Sequence, residues 1–177
     1  FARMDDFLMT TVDLVKRYQD PKTAFDVPRV KEFYERFKEQ VIATVCDTRF
    51  DLVFVHWMLP HSPFFYDRVK NAFTAAVWGP YERRYSDNLV LTDRTIGEML
   101  AAFEKCGANN NTAYILTADH GQAGNQWPVF MAKLPGERDG LPYAAPADLV
   151  KMRTLVGGIL RGRIRDHEGI KTVFEKD

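Results

Sequence analysis

The chain has little cysteine, no excess of charge of either sign and no long run of apolar residues. Its two cysteines, Cys46 and Cys106, are far apart in the sequence and lack the spacing of metal ligands, so we expect buried thiols rather than a disulfide or a redox site. Lysine plus arginine equal aspartate plus glutamate at 24 each, which gives no support for a nucleic-acid binder driven by net charge. No stretch reaches the roughly 18 apolar residues that cross a bilayer. No glycine-rich turn follows a predicted strand, which disfavours a doubly wound nucleotide-binding domain.

Length and apolar spacing predict one α/β domain over residues 1–177. A chain of 177 residues with 46% hydrophobic composition can bury a sizeable core. Ser86 or Asp87 is placed to cap the clearest helix, and Gly107 is placed to stop it. The predicted helices cover 4–18, 28–46, 86–106 and 147–160, and the predicted strands cover 51–56, 112–118, 128–134 and 171–174.

The strand, helix and strand over residues 51–118 predict a right-handed βαβ unit with parallel strands. Ligands gather at the carboxyl ends of the strands in such sheets. His56 ends the first strand, and Asp119 and His120 follow the second. We therefore expect these side chains to converge on one site.

The segment TAYILTADHG places a carboxylate and an imidazole directly after a run of β-forming residues. Asp119 and His120 offer the oxygen and nitrogen ligands that suit a divalent metal such as Zn²⁺ or Mn²⁺. Gly121 allows the backbone to turn immediately after them. The alternative is an aspartate that caps the next element beside a surface histidine.

The segment VHWMLPHSPFFYD also places histidines just past a predicted strand. His56 follows a buried run beside Trp57, so it is either a site residue or a satisfied core histidine. His61 lies between prolines, so it is either a site residue or an exposed loop residue. His167, in a charged tail, is expected to be a surface histidine, and Asn110-Asn111-Thr112 matches a glycosylation sequon.

Three segments in this order resemble the C-terminal half of the catalytic domain of the alkaline phosphatase superfamily. The nearest likeness is to its sulfatase-like branch, which includes phosphoethanolamine and phosphoglycerol transferases. The first segment is VHWMLPHSPFFYD, and the second is YSDNLVLTDRTIG, which is similar to the helix before the family's metal-binding strand. The third is TAYILTADHG, which resembles that strand itself. The resemblance covers about residues 50–135.

The resemblance implies an α/β fold with a mainly parallel sheet flanked by helices, and a metal-dependent hydrolase or transferase of sulfate or phosphate esters. Asp119 and His120 would bind a divalent metal (Zn, Mn, Ca or Mg). His61 would contact the phosphate or sulfate group, or a second metal, and His56 would lie beside it as a further substrate-binding residue. The substrate would be a small-molecule, lipid or glycan ester, and the full-length protein would be extracytoplasmic and membrane-anchored.

Three family features are not found in this sequence. The family's Thr, Ser or modified Cys nucleophile and a further acidic metal ligand lie upstream of the matching region, so we expect the nucleophile to be outside this chain, which begins at Phe1. No histidine follows soon after Asp119-His120-Gly121. The alternative function is therefore a non-catalytic, sulfatase-like fragment that serves as an interaction or structural module. Missing sheet neighbours would leave an exposed edge, through which we expect homo-oligomers to form.

Overall fold

The computed structural model describes residues 26–75, 79–121, 128–137, 142 and 147–175. The first predicted helix, over 4–18, lies outside the described residues. The chain divides into two compact units, Phe1–Ala102 and Phe103–Asp177. Each unit has its own apolar cluster, and each is described by itself.

Helix α1, Val27–Val45, confirms the predicted second helix. Asp26 is its N-cap and accepts a hydrogen bond from the Arg29 amide at 3.4 Å, while Pro28 occupies the first turn, where a missing amide proton costs nothing. The helix buries Val30, Tyr34 and Val41. That spacing forms one apolar stripe, so the predicted core face is correct.

Helix α2, Tyr81–Lys105, begins five residues before the predicted start. Ser86 is therefore inside the helix, where its hydroxyl donates to the Glu82 carbonyl at 2.7 Å, and neither Ser86 nor Asp87 is a cap. Gly107 follows the helix with φ of 79°, a conformation that favours glycine, so the predicted stop is confirmed.

The segment predicted as the first strand, 51–56, is not a strand. Leu52 and Phe54 are 59% and 69% exposed, so the apolar run is not buried on both faces. The two strands that the first unit contains in its described part are short: β1, Tyr66–Asp67, pairs antiparallel with β2, Ala72–Phe73. The predicted βαβ unit is thus not found in the described residues.

Two strands of the second unit confirm predicted positions. β3, Tyr114–Thr117, pairs with β4, Phe130–Lys133. The pair is antiparallel, with Tyr114 opposite Lys133. Both sheets in the described part of the chain are two-stranded and antiparallel, so the predicted parallel sheet is not confirmed.

The C-terminal residues are helical. A 3-10 turn, Leu149–Lys151, leads into α3, Met152–Leu160, which confirms the predicted fourth helix. The strand predicted over 171–174 is wrong, because α4 covers His167–Glu175. Its buried residues are Ile170 and Phe174, four residues apart, which is helical spacing. The buried core of the second unit contains Leu134, Leu155, Ile164, Ile170 and Phe174.

Both cysteines, Cys46 and Cys106, are disulfide-bonded, so the expectation of buried free thiols is wrong. None of the helices within the described ranges is long and apolar enough to cross a bilayer.

Candidate functional site

The segment that carries His61 is held by aromatic packing in the first unit. The Trp57 ring stacks on Phe37 with centroids 5.0 Å apart, and meets Tyr34 edge-on at 5.6 Å. Because both partners lie on α1, the chain enters the His61 loop from a fixed point. Phe65 and Phe73 stack at 5.9 Å and fix the other end of the loop.

Asn88 is the main polar contact of this loop and is fully buried on α2. Its side-chain nitrogen donates to the carbonyl oxygen of His61 at 3.2 Å and to that of Pro63 at 3.4 Å. Its side-chain oxygen accepts from the Phe65 amide at 3.4 Å. Its side-chain nitrogen also donates to the carbonyl oxygen of Pro60 at 3.5 Å, so a single side chain ties four backbone groups of the loop to the helix.

The sequence prediction missed Asn88, although a signal was present. Asparagine disfavours the interior of a helix because its side chain competes for backbone hydrogen bonds. An asparagine in the middle of a strong helix, as Asn88 is in α2, therefore indicates a specific partner elsewhere.

His61 is exposed, as one of its two interpretations required. Its Nδ1 lies 2.5 Å from the carbonyl oxygen of Ser62. A carbonyl can only accept, so Nδ1 carries the proton and Nε2 is free to exchange a proton with a bound group. His56 is exposed too, so it is not a buried core histidine.

Buried polar contacts support the loop from the side of α2. The carboxylate of Asp87 is nearly buried and lies 3.1 Å from Nε of Arg68. Arg94 donates to the Tyr66 hydroxyl and to the side-chain oxygen of Asn71, which ties the β1–β2 hairpin to the helix. The loop is thus held on a rigid support, a common property of functional loops.

Tyr34 joins α1 to α2 through a hydrogen bond with the hydroxyl of Thr95. Burial raises the pKa of Tyr34 above its usual value, and the Thr95 hydrogen bond opposes part of that rise. Thr95 also donates to the Leu91 carbonyl at 2.6 Å, so its hydroxyl has a second partner.

Asp119 and His120 lie at the end of β3 in the second unit. Their side chains are 88% and 72% exposed. The strand end is fixed by the Val129 carbonyl, which accepts from the Ala118 amide at 3.3 Å and from the Thr117 hydroxyl at 2.9 Å. The two side chains therefore project from an ordered strand end.

The geometry of His120 fits a metal ligand. Its Nδ1 lies 2.8 Å from the Gly121 carbonyl oxygen, so Nδ1 is the donor and Nε2 has a free lone pair. Metal-binding histidines characteristically donate their other ring N–H in this way. Nε2 is 3.8 Å from Oδ1 of Asp119. Two zinc–ligand bonds can span up to ~4 Å, so one cation could contact both atoms.

A metal bound by Asp119 and His120 would need further ligands. Within the part of the chain that the structure describes, no three His, Cys, Asp or Glu side chains are grouped closely enough to hold a metal ion. His56 and His61 belong to the first unit, and Asp119 and His120 belong to the second. Their convergence stays a prediction.

His167 is paired and partly buried. Its Nε2 lies 3.0 Å from Oε1 of Glu137, and Oε2 of Glu137 accepts from the Leu134 amide at 2.7 Å. The pair ties the start of α4 to the turn after β4, so His167 has a structural contact that its sequence context did not suggest.

The described residues form helices and two short antiparallel strand pairs, and β3 is followed by an exposed carboxylate and an exposed imidazole. The family model described as Sulfatase matches residues 4–161 of the 177. The chain belongs to the sulfatase family, and the resemblance seen in its motifs is confirmed. Membership implies an alkaline-phosphatase-like α/β fold and a sulfatase-like hydrolase or transferase activity. Comparisons with curated protein sequences and with solved structures give no match.

Proposed function

We propose that this chain contributes to a metal-dependent hydrolase or transferase of sulfate or phosphate esters, with Asp119 and His120 as ligands of a divalent cation. The observation that carries the proposal is the pair itself, in a member of the sulfatase family. Both side chains are exposed at a fixed strand end, and the Nδ1–H···O=C contact leaves Nε2 of His120 free to bind a cation.

When bound, a divalent cation polarises an ester oxygen and activates a nucleophile. Asp119 supplies negative charge to hold the cation, and His120 supplies a neutral nitrogen whose orientation the Gly121 carbonyl fixes. We assign none of the described residues as the nucleophile. We also propose that the protein has the mainly parallel sheet of the family. Residues other than the described strands would complete that sheet.

His61 is the group we assign to the sulfate or phosphate. With Nδ1–H held by the Ser62 carbonyl, Nε2 would take up a proton from solvent and give it to the oxygen of the leaving alkoxide. Asn88 holds the backbone of this loop, so it is a positioning residue. His56, which is also exposed, lies beside the same group.

Family membership favours esters whose alcohol is a small molecule, a lipid or a glycan. A membrane-anchored, extracytoplasmic full-length protein, and pairing of subunits through a sheet edge, belong to the same proposal.

The second candidate is a non-catalytic sulfatase-like module. It is favoured by one observation: Asp119 and His120 have no third ligand near them among the described residues. The two candidates differ in whether the natural full-length protein turns over an ester.

The test compares hydrolysis of 4-nitrophenyl sulfate and 4-nitrophenyl phosphate by the full-length protein, with and without a chelator. Asp119→Asn removes a metal ligand, so we expect kcat/KM to fall by at least about 100-fold, since even supporting residues of metal sites cost about 10–100-fold. Glu104→Gln, which removes a charge from an exposed position on α2, is the matched control and should retain activity.

The result separates the candidates. Activity that chelation and Asp119→Asn both abolish supports the enzyme. Equal activity in Asp119→Asn and Glu104→Gln would overturn the metal assignment. A folded protein that hydrolyses neither ester, with any of the four metals added, supports the non-catalytic module.

A further inference from the structure

The sequon Asn110-Asn111-Thr112 lies in the second unit, in the connection between α2 and β3. Asn110 ends a 3-10 turn, Ala108–Asn110, and its side chain is exposed. The turn is fixed by amide–carbonyl hydrogen bonds, from Asn111 to Ala108 at 3.1 Å and from Thr112 to the same oxygen at 3.0 Å. The acceptor asparagine is therefore presented on an ordered surface turn.

The side chains next to Asn110 make contacts that the Asn110 side chain does not make with the described residues. The side-chain oxygen of Asn109 accepts from the Tyr114 hydroxyl at 2.7 Å. Burial raises the pKa of the Tyr114 phenol, and its interaction with the Thr112 hydroxyl opposes part of that rise. The Asn110 side chain makes no hydrogen bond with any described residue, so a group attached to it would displace no contact of the fold.

A second, independent observation concerns the compartment. Cys106, four residues before Asn110, is disulfide-bonded, and so is Cys46. Disulfides form and persist in oxidising compartments such as the lumen of the secretory pathway. Asparagine sequons are glycosylated in that same compartment, at surface positions that can accommodate a bulky sugar.

We propose that Asn110 is an N-glycosylation site and that the chain matures in the lumen of a secretory pathway. The donor class is an oligosaccharide linked through a pyrophosphate to a polyisoprenoid lipid. The amide nitrogen of Asn110 forms a bond to the anomeric carbon of the first sugar. The bond from that carbon to the pyrophosphate oxygen breaks, the lipid pyrophosphate leaves, and the amide nitrogen loses one proton.

The residues that precede Asn110 in the chain are exposed, which leaves space for a glycan. Glu104, Lys105, Cys106 and Gly107, which end α2 and precede the turn, are all exposed. A glycan on Asn110 would cover this end of α2 and the neighbouring disulfide-bonded Cys106, and would shield both from proteases and reductants.

The experiment expresses the full-length protein through the secretory pathway of a eukaryotic cell, with a short reporter sequon added at the C-terminus. The reporter shows that each chain reached the lumen. Peptides containing residue 110 are analysed by mass spectrometry before and after treatment with an amidase that removes N-glycans. We expect the wild-type peptide to carry a glycan and the amidase to leave an aspartate in its place.

Matched variants separate the sequon from its surroundings. Asn110→Gln and Thr112→Ala should lose the glycan completely, while Thr112→Ser, which keeps the hydroxyl, should retain it. Asn111→Gln changes the middle position, where a glutamine is acceptable, and should retain it as well. An unmodified Asn110 in chains whose reporter is glycosylated would overturn the proposal, and so would chains that never acquire the reporter glycan.

Discussion

Replacement of Asn88 by alanine tests how the candidate loop is held. The contact with His61 at 3.2 Å is of ordinary strength, whereas those with Pro63 and Phe65 at 3.4 Å are long and weak. Loss of the hydrogen bond to His61 costs about 1 kcal/mol. The Phe65 amide left without its partner, together with the cavity left by the fully buried Asn88 side chain, adds about 1–3 kcal/mol. The free energy of unfolding of Asn88→Ala should therefore fall by about 2–4 kcal/mol.

The assay is urea unfolding followed by tryptophan fluorescence, with Asn111→Ala as the control. Asn111 is exposed, so its variant should change stability by less than about 0.5 kcal/mol. Asn88→Asp keeps the volume but turns a carboxylate oxygen toward the carbonyls of His61 and Pro63, so it should destabilise at least as much as alanine. If Asn88→Ala loses no more stability than Asn111→Ala, the loop is held by something else.

Two further predictions follow from packing and ionisation. A Cβ on Gly158 would lie 2.4 Å from Cδ1 of Ile164, so Gly158→Ala should cost about 1–3 kcal/mol of unfolding free energy in the same assay. Gly157→Ala meets only the mobile end of Arg161 and should gain up to about 1 kcal/mol in helix propensity; equal losses in both variants would contradict the packing. Burial raises the pKa of Tyr34, so the protonated phenol stabilises the folded state. This stabilisation is complete below the ordinary pKa of 10.0 and is lost as the pH rises through the pKa of Tyr34 in the folded state. Tyr34→Phe should therefore lose less stability between about pH 9 and pH 11 than the wild type, and an identical pH profile would refute this.

Helices α1, α2 and α3 were predictable because their apolar stripes are strong local signals. The stripe of Val30, Tyr34 and Val41 identified α1, and Gly107 fixed the end of α2. The start of α2 was missed because Ser86 and Asp87 have the composition of caps, although their side chains contact Glu82 and Arg68 instead. A residue whose side chain can cap a helix can also hydrogen-bond to other partners, so its identity alone does not locate the start of the helix.

Strand pairing could not be derived from local pattern. The run from Leu52 to Val55 has the composition of a buried strand, yet composition does not supply a pairing partner. The strand predicted at 171–174 failed because four residues are too few to distinguish alternation from the four-residue spacing of Ile170 and Phe174.

For the candidate site, the sequence indicated the residue types and the structure added their local geometry. Asp119 and His120 were recognised from their place after β3, whereas the Nδ1–Gly121 contact that frees Nε2 depends on backbone conformation. Asn88 was missed because its partners are 23–28 positions away in sequence, beyond the range of any periodicity argument.

Titration of the full-length protein with Zn²⁺ and Mn²⁺ by calorimetry tests the central claim most directly. Wild type and Glu104→Gln should bind the metal alike, and the double variant Asp119→Asn/His120→Ala should bind it at least about 100-fold more weakly, because two ligands are removed. Equal metal affinity in wild type and in the double variant would contradict the assignment of Asp119 and His120 as metal ligands.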